Sequence, residues 1–335
     1  MGYNANLDFV RTFAIFCVIG VHAFRDGHIS FLQGFIRGIC MIGVPLFLML
    51  TGYLNSKKTI DDYFVKGKWK RCIEVYIAYV ILGSVCYLVA NHFCFSPGNY
   101  IEQLLAFKLT SYGWYIDMWL GLFFLTPFLN IILNHLNGKE ERIMLIVLST
   151  LSLTANFFNR NGHVVIPDFW IGLFPLTYYV IGHYLRCHFD RYKTMYCRLL
   201  LLVVVGLLLV EPTLNELFPS DRYLYYMGGH DSLGYAIYAT IAFILMLYMH
   251  IGKMVSKVLK SISSVSLYMY LISNTFDIIA FRITGKEGMS AHVKCFVFSL
   301  LLSYLIGIVY KYTFAPIIKK IINKNMLEKH NKIQK

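Results

Sequence analysis

Long apolar runs separated by short polar stretches recur along the entire chain. Ten of them come close to the ~20 residues that a helix needs to cross the hydrocarbon core of a bilayer. They fall at about 7–24, 36–54, 73–91, 113–135, 142–158, 169–185, 198–210, 233–251, 261–281 and 295–314. The seventh is short and begins without a sharp polar edge at Cys197 and Arg198; if it did not cross, every later segment would invert. The pattern predicts an all-α fold, a polytopic transmembrane helical bundle of about ten spans. Residues 1–314 form its integral-membrane domain and 315–335 a basic cytoplasmic tail. No internal repeat, low-complexity tract or soluble domain interrupts it. The largest external connection is 211–232, which carries Glu211, Glu216, Asp221, Arg222, His230 and Asp231.

Orientation follows from the basic residues, because cytoplasmic loops collect Lys and Arg. With the N-terminus inside, 22 of the 31 Lys and Arg residues fall on the inner side, at 57–71, 139–142, 186–198, 253–260 and 311–335. The outer side holds Arg25, Arg37, Lys108, Arg160, Arg222, Arg282, Lys286 and Lys294, while Arg11 lies within a segment. Both termini are therefore expected in the cytoplasm. The net charge of +13 is then a topology signal and not a nucleic-acid footprint, since the basic residues lie between and after the apolar runs.

Composition agrees with this class. A chain that is 57% hydrophobic and 15% charged has more apolar surface than one soluble core hides. Its 25 Tyr and 26 Phe suit aromatic belts at two membrane interfaces. The eight cysteines form no CxxC pair and no Cys/His grouping at zinc spacing, so they read as small apolar residues, and no metal site is expected. The N-terminus lacks the basic region of a cleavable signal peptide and has Asp8 in its place.

The first segment carries the strongest chemical signal. It opens with Asp8 and Arg11 and ends near His22. An arginine at the centre of a membrane helix costs ~2.5–3.5 kcal/mol on insertion scales, so such a group faces a partner or a wet cavity. Eleven residues at about 100° each leave Arg11 and His22 ~20° out of phase and ~16 Å apart, on one stripe and beyond direct contact. Two costly groups on one face imply a polar path. His22 can serve as a general base or a transient group acceptor; the plainer role is a hydrogen bond to a neighbouring helix. Asp8 sits one helical turn from Arg11 and can pair with it. Gly43, Pro45, Thr51 and Gly52 allow either close helix packing or a broken helix beside a cavity. The loop 55–72 brings Lys66, Lys68, Lys70 and Arg71 together, either as phosphate ligands spaced along an interfacial helix or as anchors to anionic lipid. Trp114, Tyr115, Asp117 and Trp119 open the fourth span, as interfacial anchors or as a surface for stacking a sugar. Asp117 and Asp277 are candidate acidic partners of His22, and His183 reads as a packing histidine.

These residues together resemble a known family. Leu7 to Arg11 followed by His22 is similar to the opening of the acyltransferase 3 family of integral-membrane acyltransferases. Gly43 to Phe47 with Thr51 to Leu54 resembles its second-helix signature. Lys68 and Arg71 resemble its basic element, with Tyr76 at the aromatic that follows. Trp114-Tyr115 with Thr126-Pro127, and Ser266 with Tyr270-Leu271, are similar to two later helices. Three positions depart from the pattern: Glu74 for a proline, Tyr112 for a histidine before the tryptophan, and Ser273 for a late histidine. The resemblance implies transfer of an acyl group, usually acetyl from cytoplasmic acetyl-CoA, to a hydroxyl of a cell-surface or lipid-linked glycan at a bacterial cytoplasmic membrane. It implies His22, Arg11 and Asp8 as the catalytic set and Lys68, Lys70, Arg71 and Tyr76 as donor ligands, with Trp114, Tyr115 and Asp117 toward the acceptor. The expected partners are acyl-CoA, the saccharide and membrane lipid, with no nucleic acid and no permanently bound cofactor. A transporter or flippase of a lipid-linked sugar, a non-catalytic scaffold of the same fold, a succinyl donor and an amine acceptor stay open as alternatives.

Overall fold

The computed structural model describes residues 4–24, 31–159, 164–188, 198–206, 208–209, 229–285 and 287–333, with residue 157 and residues 325–333 described by their backbone. All regular structure among them is helical. In chain order the helices are α1 Ala5–Ala23, α2 Phe31–Cys40, α3 Gly43–Asn55, α4 Lys70–Ala90, α5 Pro97–Leu105, α6 Trp114–His135, α7 Gly138–Leu153, α8 Ala155–Phe158 and α9 Phe174–His188. After them come α10 at 198–206, α11 Leu233–Tyr248, α12 Lys253–Thr284, α13 Met289–Tyr312 and α14 Phe314–Ile333. Helix occupies each of the ten apolar runs. Six stretches are long and apolar enough to cross a membrane: Ala5–Ala23, Phe31–Asn55, Lys70–Ala90, Trp114–His135, Lys253–Thr284 and Met289–Lys324. The others are shorter. At 1.5 Å per residue, α7 with 16 residues, α9 with 15 and α11 with 16 fall short of a ~30 Å hydrocarbon core. Most of the 211–232 connection lies outside the described residues.

Side chains close the starts of α1 and α7, satisfying amides that a helix start leaves unpaired. Asn4 caps α1, accepting from the Asn6 amide at 2.9 Å. The Asn6 side chain donates to the carbonyls of Met246, Leu247 and Met249 at 3.0, 2.7 and 2.8 Å, so the start of α1 satisfies the end of α11. At α7, Asn137 and Glu140 form a reciprocal capping box. The segment read as a single span at 36–54 begins earlier, at Phe31, and breaks at 41–42 between α2 and α3. Gly43 lies at this break because a Cβ there would stand 2.9 Å from the carbonyl oxygen of Ala14.

Helix α12 packs on α13, α1 and α4, while α3 packs on α9 and α1. The α3–α9 crossing is set by two glycines. A Cβ on Gly52 would sit 2.0 Å from the Tyr179 carbonyl oxygen, and one on Gly182 would sit 2.0 Å from that of Met49. The backbones therefore touch, as small residues permit in membrane helices. Many tyrosines lie in the core and not only in interfacial belts: Tyr79, Tyr87, Tyr178, Tyr179 and Tyr235 are buried. Burial of a phenol requires a partner for its hydroxyl; Tyr178 donates to the His230 carbonyl at 2.7 Å and Tyr179 to Asn130 Oδ1 at 2.6 Å. Leucine, isoleucine and valine side chains such as Ile146, Leu301, Leu305 and Val309 instead face outward, the surface expected of a protein solvated by lipid. The basic stretch after residue 314 is helix α14, which packs on α4 through buried Ile318 and Ile322.

Replacing Gly182 by Val should force α3 and α9 apart and cost at least the ~1–3 kcal/mol typical of overpacking, read as a lower unfolding temperature in detergent. Gly121 has no heavy atom within 4 Å of its Cβ position. Gly121→Ala should leave the unfolding temperature unchanged or raise it, because the helix gains ~0.4–1 kcal/mol from a less flexible unfolded chain.

Candidate active site

The polar face of α1 opens onto two cavities. The first, of about 320 Å³, is lined by Arg11, by Thr51 and Asn55 at the end of α3, by Lys68 and Arg71 at the start of α4, and by Ser263, Ser266 and Tyr270 of α12. Three cations thus share one space, and among the described residues no carboxylate lines it. Cations gathered in a low-dielectric recess raise a strong positive potential, which an anion relieves.

Each cation is held differently. Among the described residues the Arg11 guanidinium forms no ion pair with Asp8; the Asp8 carboxylate accepts from Ser263 Oγ at 2.6 Å, tying α1 to α12 while Arg11 projects into the cavity. Lys68 follows a single π turn at Asp61–Val65, so the expected interfacial helix is reduced to one turn. Its ammonium donates to Asn55 Oδ1 and to the Tyr63 hydroxyl at 3.4 Å, and lies 4.5 Å from the centre of the Tyr63 ring. Burial, with Lys58 nearby, pushes the Lys68 ammonium down to about 8. Arg71 bonds Glu74 at 2.8 Å. Lys70 points elsewhere, donating to Asn323 of α14 at 3.2 Å. Tyr76 packs against the rings of Tyr79 and Phe107 and lines neither cavity.

The second cavity, of about 460 Å³, is lined by His22, Arg37, Cys40, Met41, Trp114, His230 and again Tyr270. The stripe on α1 therefore serves both spaces, Arg11 in one and His22 in the other. Tyr270 lies between them, its hydroxyl donating to the Tyr112 carbonyl at 2.6 Å. Trp114 stacks on His230 with ring centres 5.3 Å apart. Tyr115 lines the first cavity, 5.1 Å from the Tyr270 ring. Asp117 is exposed and lines neither.

Three further groups meet here, of which the sequence marks Asp277 as a candidate partner of His22 and Tyr112 only as a departure from the family pattern. Tyr112 stacks on His22 with ring centres 3.9 Å apart and planes 23° from parallel. Its hydroxyl donates to buried Asp277, which also accepts from Ser299 at 2.5 Å and Cys295 at 3.7 Å. The position where the resemblance had a histidine thus carries the ring that orients His22, and Asp277 reaches His22 through that ring. Arg37 is the third: among the described residues its buried Nε has no hydrogen-bond partner. The sequence marks it only as one of the basic residues of the outer side.

Apolar outward surface, long helices and buried polar cavities define a multi-helix membrane protein. Residues 4–317 match the family model described as an acyltransferase domain. The chain belongs to the acyltransferase 3 family and is an acyltransferase. No curated protein and no solved structure matches it.

Tyr112→Phe keeps the ring against His22 but leaves Asp277 one donor short. Loss of one hydrogen bond to a buried group costs ~1–3 kcal/mol, which should appear as a lower unfolding temperature, whereas acyl transfer should suffer more from Tyr112→Ala, which removes the ring as well.

Proposed function

We propose that this protein transfers an acetyl group from cytoplasmic acetyl-CoA to a hydroxyl of a glycan, surface-bound or lipid-linked, at the outer face of a bacterial cytoplasmic membrane. The observation that carries the reading is the pair of cavities on one charged helix: a tricationic space around Arg11, Lys68 and Arg71, and a second space around His22, meeting at Tyr270. The charge asymmetry of the loops supports ten spans with both termini and the tricationic cavity on the cytoplasmic side.

In this reading the phosphates of the donor rest on Lys68 and Arg71, where charge-assisted hydrogen bonds are strongest. The donor's arm runs past Arg11 toward Tyr270, which brings the thioester up to the level of His22. The acceptor enters the second cavity, where Trp114 and His230 offer a flat aromatic face to a sugar ring and Arg37 a free donor. His22 takes the proton of the acceptor hydroxyl as its oxygen attacks the thioester carbonyl carbon. The C–S bond breaks, an ester forms, and the imidazolium returns the proton to the departing thiolate, giving free CoA thiol. A route through acetyl-imidazole on His22 uses the same groups in two steps. Asp8 serves at a distance, holding α1 against α12 through Ser263 so that Arg11 stays turned into the cavity.

Membranes containing the wild-type protein should release CoA thiol when given acetyl-CoA and acceptor glycan. His22→Ala at equal abundance should lower that release by ~10²-fold or more, the usual worth of a general base. Wild-type rate in His22→Ala, or glycan movement without thiol release, would sink the assignment. The Lys68 ammonium loses its proton as pH rises through about 8, so the KM for acetyl-CoA should climb between pH 7 and 9. In Lys68→Arg, whose guanidinium stays charged, that climb should vanish.

A further inference from the structure

Away from both cavities, the first turn of α7 meets the last turns of α9 in a cluster of metal-binding side chains. Glu141 and His183 are buried, 4% and 1% exposed, and Cys187 follows His183 by one helical turn with its side chain reaching the surface. Glu141 Oε1 lies 3.5 Å from His183 Nδ1, and Cys187 Sγ lies 3.9 Å from the same nitrogen. The ligand atoms of the three residues all lie within 4.8 Å of one another. Around a tetrahedral zinc, with bonds of ~2.0–2.3 Å, neighbouring donors stand ~3.3–3.8 Å apart; the two separations to His183 already match this range closely, and metal binding would draw Glu141 and Cys187 together by rotation of their side chains.

The hydrogen bonds around the cluster set its protonation. Asn134 donates its amide to the Ser56 carbonyl at 3.3 Å, which turns its Oδ1 toward His183 Nε2 at 3.2 Å. A carbonyl oxygen accepts, so Nε2 carries the proton and Nδ1 presents a lone pair to the carboxylate and the sulfur. Without a metal the Cys187 thiol can donate to that lone pair; once the thiol gives up its proton, three electron-pair donors point at one another, an arrangement that a cation between them stabilises. The outer groups match those that orient metal ligands: Asn134 fixes the His183 tautomer, and His188 Nε2 bonds the second carboxylate oxygen, Glu141 Oε2, at 2.7 Å.

We propose that Glu141, His183 and Cys187 bind a divalent transition metal of the zinc class, with His188 holding the carboxylate from behind and the fourth position open toward the exposed side of Cys187. Mixed oxygen, imidazole and thiolate donors favour zinc over calcium or magnesium, which take oxygen alone. The ion cross-links α7 to α9. Through Asn134 and Ser56 it also braces the end of α3, whose Asn55 holds Lys68. This site is independent of the acyl-transfer reading, and its failure would leave that reading untouched.

The full-length protein, purified in detergent and equilibrated with zinc, should retain about one zinc per chain by elemental analysis after passage over a weak chelating resin. Cys187→Ser and His183→Gln should each lose most of it. Cobalt in place of zinc should give the visible bands of a tetrahedral site in the wild type, together with a near-ultraviolet thiolate-to-cobalt band that Cys187→Ser abolishes. Cys187 is exposed, so its serine variant tests ligation without disturbing the core, and the cobalt spectrum of the wild type needs no variant. Wild-type protein that retains less than a tenth of an equivalent of zinc, or lacks the thiolate band, overturns the proposal; the cluster then holds a proton and no metal. Equal zinc in wild type and in the two variants overturns it as well, placing the metal elsewhere.

Discussion

A guanidinium inside an apolar helix is the constraint from which the rest of the architecture follows. Arg11 keeps its charge, because an arginine does not surrender its proton in proteins, and charge in lipid is costly. The bundle answers by keeping a polar space open beside α1 and by tying that helix down on several sides. Asn6 grips the end of α11, Asp8 takes a hydroxyl from α12, and Thr12 donates to the Leu259 carbonyl at 3.2 Å. None of these bonds neutralises Arg11. They fix the helix so that the cation faces the cavity, where Lys68 and Arg71 add to its field.

The same economy of polar contacts explains the second cavity. The ring face of Tyr112 lies against the His22 imidazole. Asp277 sits one step back, saturated by Tyr112, Ser299 and Cys295. By accepting from its hydroxyl, Asp277 fixes the Tyr112 ring, which in turn limits how the imidazole can rotate. The chain belongs to the acyltransferase 3 family, and in the proposed function the division of these groups between two spaces keeps donor and acceptor apart until they meet.

Much of this was legible before any coordinates. Arg11 and His22 stand out because each violates an apolar run, and helical phase alone puts them on one stripe. Lys68 and Arg71 stand out by charge density just before a span. What sequence could not supply were contacts across great separations. Tyr112 and Asp277 are 165 residues apart, and nothing local joins them; the tyrosine read as a departure from a pattern when it is the ring beside His22. Glu141 and His183 were hidden for the same reason, one in a charged helix start and the other in an apolar run, although the spacing of His183 and Cys187 by four was visible. Lys70 shows the converse: it shares a charge cluster with Lys68 and Arg71, yet helical phase turns it toward α14. The helix count also shows what hydropathy leaves open, since apolar character is present in α7 and α9 without the length to match.

Tyr270 belongs to both cavities, and that gives it a task neither cavity has alone. A channel open from one face of the membrane to the other would dissipate the ion gradients on which a cell depends. A bulky ring anchored by its hydroxyl to the Tyr112 carbonyl stands as a partition between the two cavities. Under the proposed function, that partition lets chemistry be handed across the bilayer one small group at a time, while water and ions stay on their own sides.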